Sequence, residues 1–153
     1  MDGRVAKNHK ELICGQLCAQ LRSIGLAYIR KGRANGDWDF RGQMRRAMRS
    51  NCYQTSEGFY LFKHKPFAHY LDRAHASLGE TLDQIDDGHE QGYFTEEHQT
   101  EMRRLARRAM KCNRRLAERL RGTPDPPESQ RPQRPARPKR QPPQQDGSYP
   151  GHA

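Results

Sequence analysis

The chain has 153 residues, a net charge of +10 and only 33% hydrophobic residues. This length gives room for one domain and a tail, and the charge favours a polyanionic partner. No apolar run approaches the length of a membrane span, and the polar segment 1–12 has no signal-peptide core. We therefore expect a cytoplasmic protein without a membrane role, whose four cysteines are reduced thiols.

The first predicted helix covers residues 8–31. Its apolar residues recur at steps of three or four, which places them on one face of a helix. These residues are Ile13, Leu17, Leu21, Ile24 and Tyr28. A glycine-containing connection around residues 32–36 ends the helix.

The second predicted helix covers residues 39–59 and takes Asp39 as its N-cap. Its inward side is apolar and consists of Phe40, Met44, Ala47, Met48 and Cys52. Asn51 and Thr55 lie beside this side, so we expect a small hydrogen-bonded network in the core. We expect these two residues and Gln54 to set helix register rather than to serve a function.

The third predicted helix covers residues 66–91, with Pro66 at its first position. One side is apolar and consists of Phe67, Leu71, Ala74, Leu78, Leu82 and Ile85. The opposite side carries five acidic residues, which we call the acidic ridge: Asp72, Glu80, Asp83, Asp87 and Glu90. The helix is therefore amphipathic.

The fourth predicted helix begins after an N-cap at Thr95 and runs to residue 121. The side opposite its apolar stripe carries eight cations, here called the basic face: Arg103, Arg104, Arg107, Arg108, Lys111, Arg114, Arg115 and Arg119. Glu118 is the one acid that interrupts them. Because like charges one turn apart repel each other by a few tenths of a kcal/mol, this face suggests an anionic partner.

Four amphipathic helices with short connections predict an all-α, antiparallel up-down four-helix bundle over residues 1–121. Residues 122–153 contain nine of the ten prolines and little to bury. We expect this tail to be disordered, because it cannot recover its ordering entropy. Its basic segment, residues 131–140, is either an arm that binds nucleic acid or a solubilising extension.

Two motifs resemble those of a bacterial four-helix-bundle family, named after proteins encoded in intervening sequences of 23S ribosomal RNA genes. The second-helix motif is matched by residues 43–47, Ser50 and residues 57–59. The third-helix motif is matched by residues 65–67, 70–71, 74, 76–78, 80 and 82. The turn into the fourth helix is matched by residues 92–97.

This resemblance implies a bundle that assembles into a ring-like homo-oligomer, often a pentamer. The same fold is used by the accessory variability determinant of diversity-generating retroelements, a basic pentamer that binds a reverse transcriptase and nucleic acid. The resemblance thus makes an accessory role to a reverse transcriptase a hypothesis for this chain. It implies no catalytic residues.

Two interpretations of the charged surfaces stay open. In the first, the basic face binds phosphates of RNA or DNA with little sequence readout, and Arg41, Arg45 and Arg49 extend it from the second helix. In the second, the chain is a structural or interaction protein, and the acidic ridge meets the basic face of another copy across a ring interface. We favour nucleic-acid binding.

Metal and enzyme chemistry have weaker support. Cys14, Cys18, Cys52 and Cys112 could supply zinc ligands, but the closely spaced loop pairs of zinc sites are absent. A di-iron bundle needs Glu-x-x-His motifs on two helices, whereas residues 72–75 and 86–89 share one helix and use Asp. Without a phosphate loop or a nucleophile elbow, we expect a non-enzymatic protein with no cofactor and no metal.

Overall fold

The computed structural model describes residues 6–134, which fold as a four-helix bundle without strands. The helices in chain order are α1 (Ile13–Ile29), α2 (Trp38–Leu61), α3 (His64–Glu90) and α4 (Glu96–Arg121). Short 3₁₀ turns lie at His9–Glu11, Arg33–Gly36 and Glu128–Gln130. The predicted all-α fold is confirmed.

Each helix packs against two neighbours. Helix α1 contacts α2 and α4, and α3 contacts the same two helices, so α1 and α3 lie at opposite corners of the bundle. Leu21, Met48 and Leu105, from α1, α2 and α4, are at most 1% exposed and meet in the main core. On α2 and on α4, one side therefore contacts α1 and the other contacts α3. Charged residues on these two sides have different neighbours.

The helix starts differ from the predicted ones by local capping. Helix α2 is capped by Asp37 rather than Asp39, since the Asp37 Oδ1 atom accepts from the Phe40 N–H at 2.9 Å. Helix α3 begins at His64, and Pro66 lies in its first turn, where a backbone N–H is not needed. Helix α1 begins at Ile13, because Asn8 caps a separate 3₁₀ turn before it.

The buried side of α1 is rotated from the predicted one. Ile13 was expected to face the core, but its side chain is 66% exposed. Leu17 and Leu21 are buried as predicted. The rest of the buried side consists of Cys14, Cys18, Gly25 and Ile29. Small side chains therefore fill much of this seam.

The prediction of a hydrogen-bonded network in the core is wrong for the side-chain amide of Asn51. Asn51 and Thr55 are buried as predicted, and the Thr55 hydroxyl donates to the Asn51 carbonyl at 3.0 Å. The amide of Asn51 has no hydrogen-bond partner among the described residues, and neither has that of the buried Asn113.

The predicted tail starts where α4 ends. Its first part returns to the bundle: the Asp125 carboxylate accepts from the His64 N–H at 2.8 Å, and Arg134 donates to Glu57 at 2.6 Å. The Arg134 guanidinium also lies 5.8 Å from the centre of the Tyr60 ring. The remainder of the predicted disordered tail lies outside the described residues.

Candidate nucleic-acid interface

Helix α1 carries no acidic residue between Ile13 and Ile29. Its solvent side is made of small, neutral or basic residues: Gln16, Ala19, Gln20, Arg22, Ser23 and Ala27. Acids on a helix surface normally neutralise neighbouring cations. Cations that border α1 therefore meet no acid on this helix.

The basic face of α4 divides between its two neighbours. Four of its cations line a groove of about 810 Å³ between α1 and α4, and we call them the groove cations: Arg108, Lys111, Arg115 and Arg119. The opposite wall contains Ile13 and Leu17 of α1 and also Glu11 of the preceding 3₁₀ turn, whose carboxylate accepts from the Lys7 N–H and the Asn8 amide. All four groove cations are exposed, and none forms an ion pair among residues 6–134. They stay available to an anion.

Two arginines on the α3 side of α4 are paired within the bundle, whereas the exposed Arg107 on that side forms no ion pair among residues 6–134. Arg103, which the sequence assigned to the basic face, donates to Asp86 of α3 at 2.9 Å. Arg121 at the end of α4 binds Asp72 of the acidic ridge. Arg114 lies 3.9 Å from Glu118 on α4 itself, with both side chains exposed. A fully formed pair such as Arg103–Asp86 leaves little charge for a phosphate.

Cys112 lies in the same groove as the groove cations. The neighbouring Cys14 thiol donates a hydrogen bond to it, which lowers the pKa of Cys112 to about 7, although burial opposes this effect. The positive charge of Arg115 favours the thiolate further. Burial raises the pKa of Cys18 to about 12. The groove therefore holds a thiol whose pKa lies below the usual value for cysteine.

Three arginines of α2 flank the other side of α1. They were predicted to extend the basic face, and we call them the α2 strip. The strip consists of Arg41, Arg45 and Arg49. Arg49 lines a second groove of about 700 Å³ between α1 and α2, together with Arg22 and Lys10. Arg41 donates to the Asn35 carbonyl at 2.8 Å. We call α1, the groove cations and the α2 strip together the α1 face.

The acidic ridge lies on α3, at the corner opposite α1. Asp72 is occupied by Arg121, and Asp87 accepts a hydrogen bond from Gln91 at 2.9 Å. Glu80, Asp83 and Glu90 form no ion pair with any described residue. The ridge thus lies across the bundle from α1.

The sequence analysis missed several residues of the α1 face. Arg22 and Lys10 belong to the α1–α2 groove, and the aromatic residues Trp38 and Tyr53 flank the α2 strip. A rotation of about 100° per residue places both aromatics on the same side of α2 as Arg45. The sequence alone contains this helical spacing, but the prediction used only the cations of α2.

Neither a metal centre nor a membrane segment is found in the part of the chain that the structure describes. No three His, Cys, Asp or Glu side chains in residues 6–134 are placed to hold a metal ion. His75 and His89 belong to segments 72–75 and 86–89, the nearest matches to a di-iron motif. They form hydrogen bonds with the backbone carbonyls of Met110 and Phe94. None of the described helices is long and apolar enough to cross a membrane.

Comparison with known proteins agrees with the resemblance seen in the sequence. The family model described as 23S rRNA-intervening sequence protein matches residues 10–114, which include α1, α2 and α3 entirely. The match ends within α4, between Arg114 and Arg115. No curated protein matches the chain.

Proposed function

The chain belongs to the 23S rRNA-intervening sequence protein family, and on this premise we propose that it binds nucleic acid without catalysing a reaction. The binding surface is the α1 face. Phosphates contact the groove cations on one side of α1 and the α2 strip on the other. RNA and DNA both present these phosphates, so contact is largely independent of sequence.

One observation carries this proposal: cations from two helices flank an acid-free third helix. On the α3 side of α4, Arg103 and Arg121 pair with Asp86 and Asp72, whereas the groove cations form no ion pair among residues 6–134, and Glu11 is the one acid that lines their groove. Like charges one turn apart, such as Lys111 and Arg115, each cost about 0.2–0.5 kcal/mol. A polyanion that binds there removes this repulsion and adds charge-assisted hydrogen bonds.

A salt titration with two matched variants tests the proposal. The double variant Arg108→Glu and Arg115→Glu removes two groove cations, whereas Lys65→Glu and Arg73→Glu changes the same charge on exposed α3 positions. We expect the first to lose about 100-fold in affinity for RNA or DNA at low salt. The slope of log affinity against log salt should also fall by about two, since each phosphate contact contributes about 0.9.

The control variant should stay within about threefold of the unmodified chain, because Lys65 and Arg73 lie away from the α1 face. Equal losses in both variants would mean that net charge alone attracts the polyanion. Absence of binding by the unmodified chain at low ionic strength would refute the proposal.

Our proposal extends to assembly and partners. We propose a cytoplasmic homo-oligomer, with a pentamer as the first size to test, that serves as an accessory factor to the reverse transcriptase of a diversity-generating retroelement. The family resemblance supports this role. A reverse-transcriptase gene and variable repeats beside the coding gene would support it further, whereas a location inside a ribosomal RNA gene would contradict it.

A second candidate is a structural protein that assembles through its charged surfaces. It is favoured by Glu80, Asp83 and Glu90, which form no ion pair among residues 6–134 and could meet groove cations of another copy. Light scattering on the Arg108→Glu and Arg115→Glu variant separates the two functions. Loss of the oligomer with unchanged nucleic-acid affinity supports assembly, and the reverse result supports nucleic-acid binding.

A further inference from the structure

The outward side of α2 combines arginines with exposed aromatic rings. At about 100° per residue, Trp38 and Tyr53 fall with the α2 strip inside an arc of about 120°. No Asp or Glu of α2 lies within that arc, since Asp39 and Glu57 project from the side nearer α3, although Asp37 and Asp39 line the pocket next to Trp38. The order along the helix is therefore a ring, three cations and a second ring.

Both rings are unusually accessible. Trp38, the one tryptophan of the chain, is 79% exposed, and Tyr53 is 57% exposed. Large aromatic side chains usually bury most of their area, because this burial is a major source of stability. Trp38 contributes little of that burial to the bundle, and Tyr53 contributes less than half of its area. Such a ring is suited to a ligand with a flat surface of its own.

Contacts of Trp38 keep its ring beside a positive charge. The Arg41 guanidinium lies 5.2 Å from the ring centre, within range of a cation–π interaction. Arg41 is itself held by its hydrogen bond to the Asn35 carbonyl at 2.8 Å. The guanidinium thus approaches the ring from one side, while most of the side chain stays open to solvent.

Tyr53, at the other end of the strip, also lies beside cations. It lines the α1–α2 groove together with Arg49 and Arg22. Arg49 lies one helical turn before Tyr53, so the ring and the guanidinium are neighbours on the helix surface. Each ring is therefore paired with cations that can hold the phosphate next to a stacked base.

We propose that the outward side of α2 binds single-stranded nucleic acid, with bases stacked on Trp38 and Tyr53 and phosphates contacting the α2 strip. This inference rests on the proposed function and specifies its substrate. A ring can stack only on a base that has left its own helix, so a duplex gains nothing from Trp38 or Tyr53. Charge complementarity brings the strand, and the rings select its single-stranded form.

The distance between the rings fits a short strand. Fifteen residues of α-helix separate them, which corresponds to about 22 Å at 1.5 Å per residue. A stacked strand advances about 3.4 Å per nucleotide, so fewer than ten nucleotides cover this length. An oligonucleotide of about twelve nucleotides therefore reaches both rings.

Fluorescence of Trp38 provides a direct test, because the chain contains no other tryptophan. We expect a twelve-nucleotide oligo(dT) or oligo(U) strand to quench the emission, and a duplex of equal length to leave it nearly unchanged. Trp38→Ala and Tyr53→Ala should each weaken single-strand binding at least fivefold in a filter or anisotropy assay. Duplex affinity should stay within about twofold.

Conservative variants separate stacking from folding. Trp38→Phe and Tyr53→Phe keep a ring and should keep most of the single-strand affinity. Leu61→Ala, a change at another exposed apolar side chain of α2, should have no effect. Thermal unfolding followed by circular dichroism should show that the alanine variants retain the stability of the parent, as expected for exposed side chains.

Three results would overturn the inference while leaving the proposed function in place. They are unchanged Trp38 emission at saturating oligonucleotide, equal loss of single-strand and duplex binding in the alanine variants, and a smaller oligomer in Trp38→Ala, which would assign the ring to a subunit contact. A chain that binds neither single strands nor duplexes at low salt would refute both proposals.

Discussion

The cations of α4 have different neighbours at the two opposite corners of the bundle. On the α3 side, arginines of α4 meet acids: Arg103 binds Asp86 and Arg121 binds Asp72. On the α1 side, the groove cations face a helix that has no acid. The neighbour of a cation, rather than the helix that carries it, therefore decides whether the charge stabilises the bundle or is available to a ligand.

Packing differs between the corners as well. On the α3 side, aromatic rings fill the space where helices approach, as Phe40 and Phe94 do next to Gly88. On the α1 side the corresponding space beside Gly25 is filled by Met44 and Met48. Methionine adapts its shape at low cost, whereas a ring does not. We expect the α1 side to be the one that tolerates change.

The largest expected effect concerns the thiol in the α1–α4 groove. Because the pKa of Cys112 is lowered to about 7 by the Cys14 hydrogen bond and by Arg115, most of it is thiolate above pH 7. Cys18 is buried and has its pKa raised to about 12. Cys112 should react with iodoacetamide at pH 7.5 at least about 100-fold faster than Cys18. Peptide mass spectrometry over time measures both rates.

This reaction also reports on the interface. The rate at Cys112 should rise as pH increases through about 7 and then level off, because the reactive form is the thiolate. A bound oligonucleotide should slow it, since Cys112 shares its groove with Arg115 and Arg119. Cys52, whose pKa is raised by burial, serves as the internal control. A Cys112 that reacts no faster than Cys52 would contradict the prediction.

A smaller effect distinguishes two arginines at the end of α4. Arg119 lines the α1–α4 groove, whereas Arg121 binds Asp72 on α3. Arg119→Ala should weaken nucleic-acid binding about tenfold at low salt, which corresponds to about 1.4 kcal/mol, and leave stability unchanged. Arg121→Ala should leave affinity unchanged. It should lower the free energy of unfolding by less than about 1 kcal/mol, because the ion pair is half exposed.

Anisotropy titrations and urea unfolding of the two variants measure both quantities. Because the two side chains have the same charge and lie two residues apart, differences in net charge and helix propensity cancel. Equal losses of affinity would show that the ligand covers the whole end of α4, and the distinction between the two corners would fail there.

The sequence predicted the helices well, because their apolar residues recur with a helical period and each helix is long enough to show it. It located the C-terminal end of α4 and the cap at Thr95, whose side chain accepts from the His98 N–H. It misplaced the cap of α2, since Asp37 and Asp39 are equally good capping residues and the choice depends on the preceding 3₁₀ turn. Local propensity cannot resolve such a choice.

Sequence reasoning treated the basic face of α4 as one surface, whereas the structure divides it. A helical projection shows which residues point outward, but it does not show which neighbour each one meets. Asp86, the partner of Arg103, was considered only in a possible metal motif and was not counted in the acidic ridge, beside which it lies. Ile13 was assigned to the core for a related reason: a helix between two neighbours buries a side that depends on both.

The smallest expected effect compares the packing around Gly25 on the α1 side, here the α1 seam, with the packing around Gly88 on the α3 side, the α3 seam. A methyl group at Gly88 would lie 2.5 Å from Phe94 and 2.7 Å from Phe40, whereas one at Gly25 would overlap the sulfur of Met48. We expect Gly88→Ala to lower the free energy of unfolding by about 2 kcal/mol, because rigid rings must move. Gly25→Ala should cost about 1 kcal/mol or less, because Met48 can change rotamer and alanine favours the helix. Urea unfolding of both variants gives the difference.

Gly79→Ala is the control, since nothing lies within 4 Å of that methyl position, and it should stabilise α3 by up to about 1 kcal/mol. If Gly25→Ala costs as much as Gly88→Ala, the α1 seam is as rigid as the α3 seam, and the two corners then differ in charge alone.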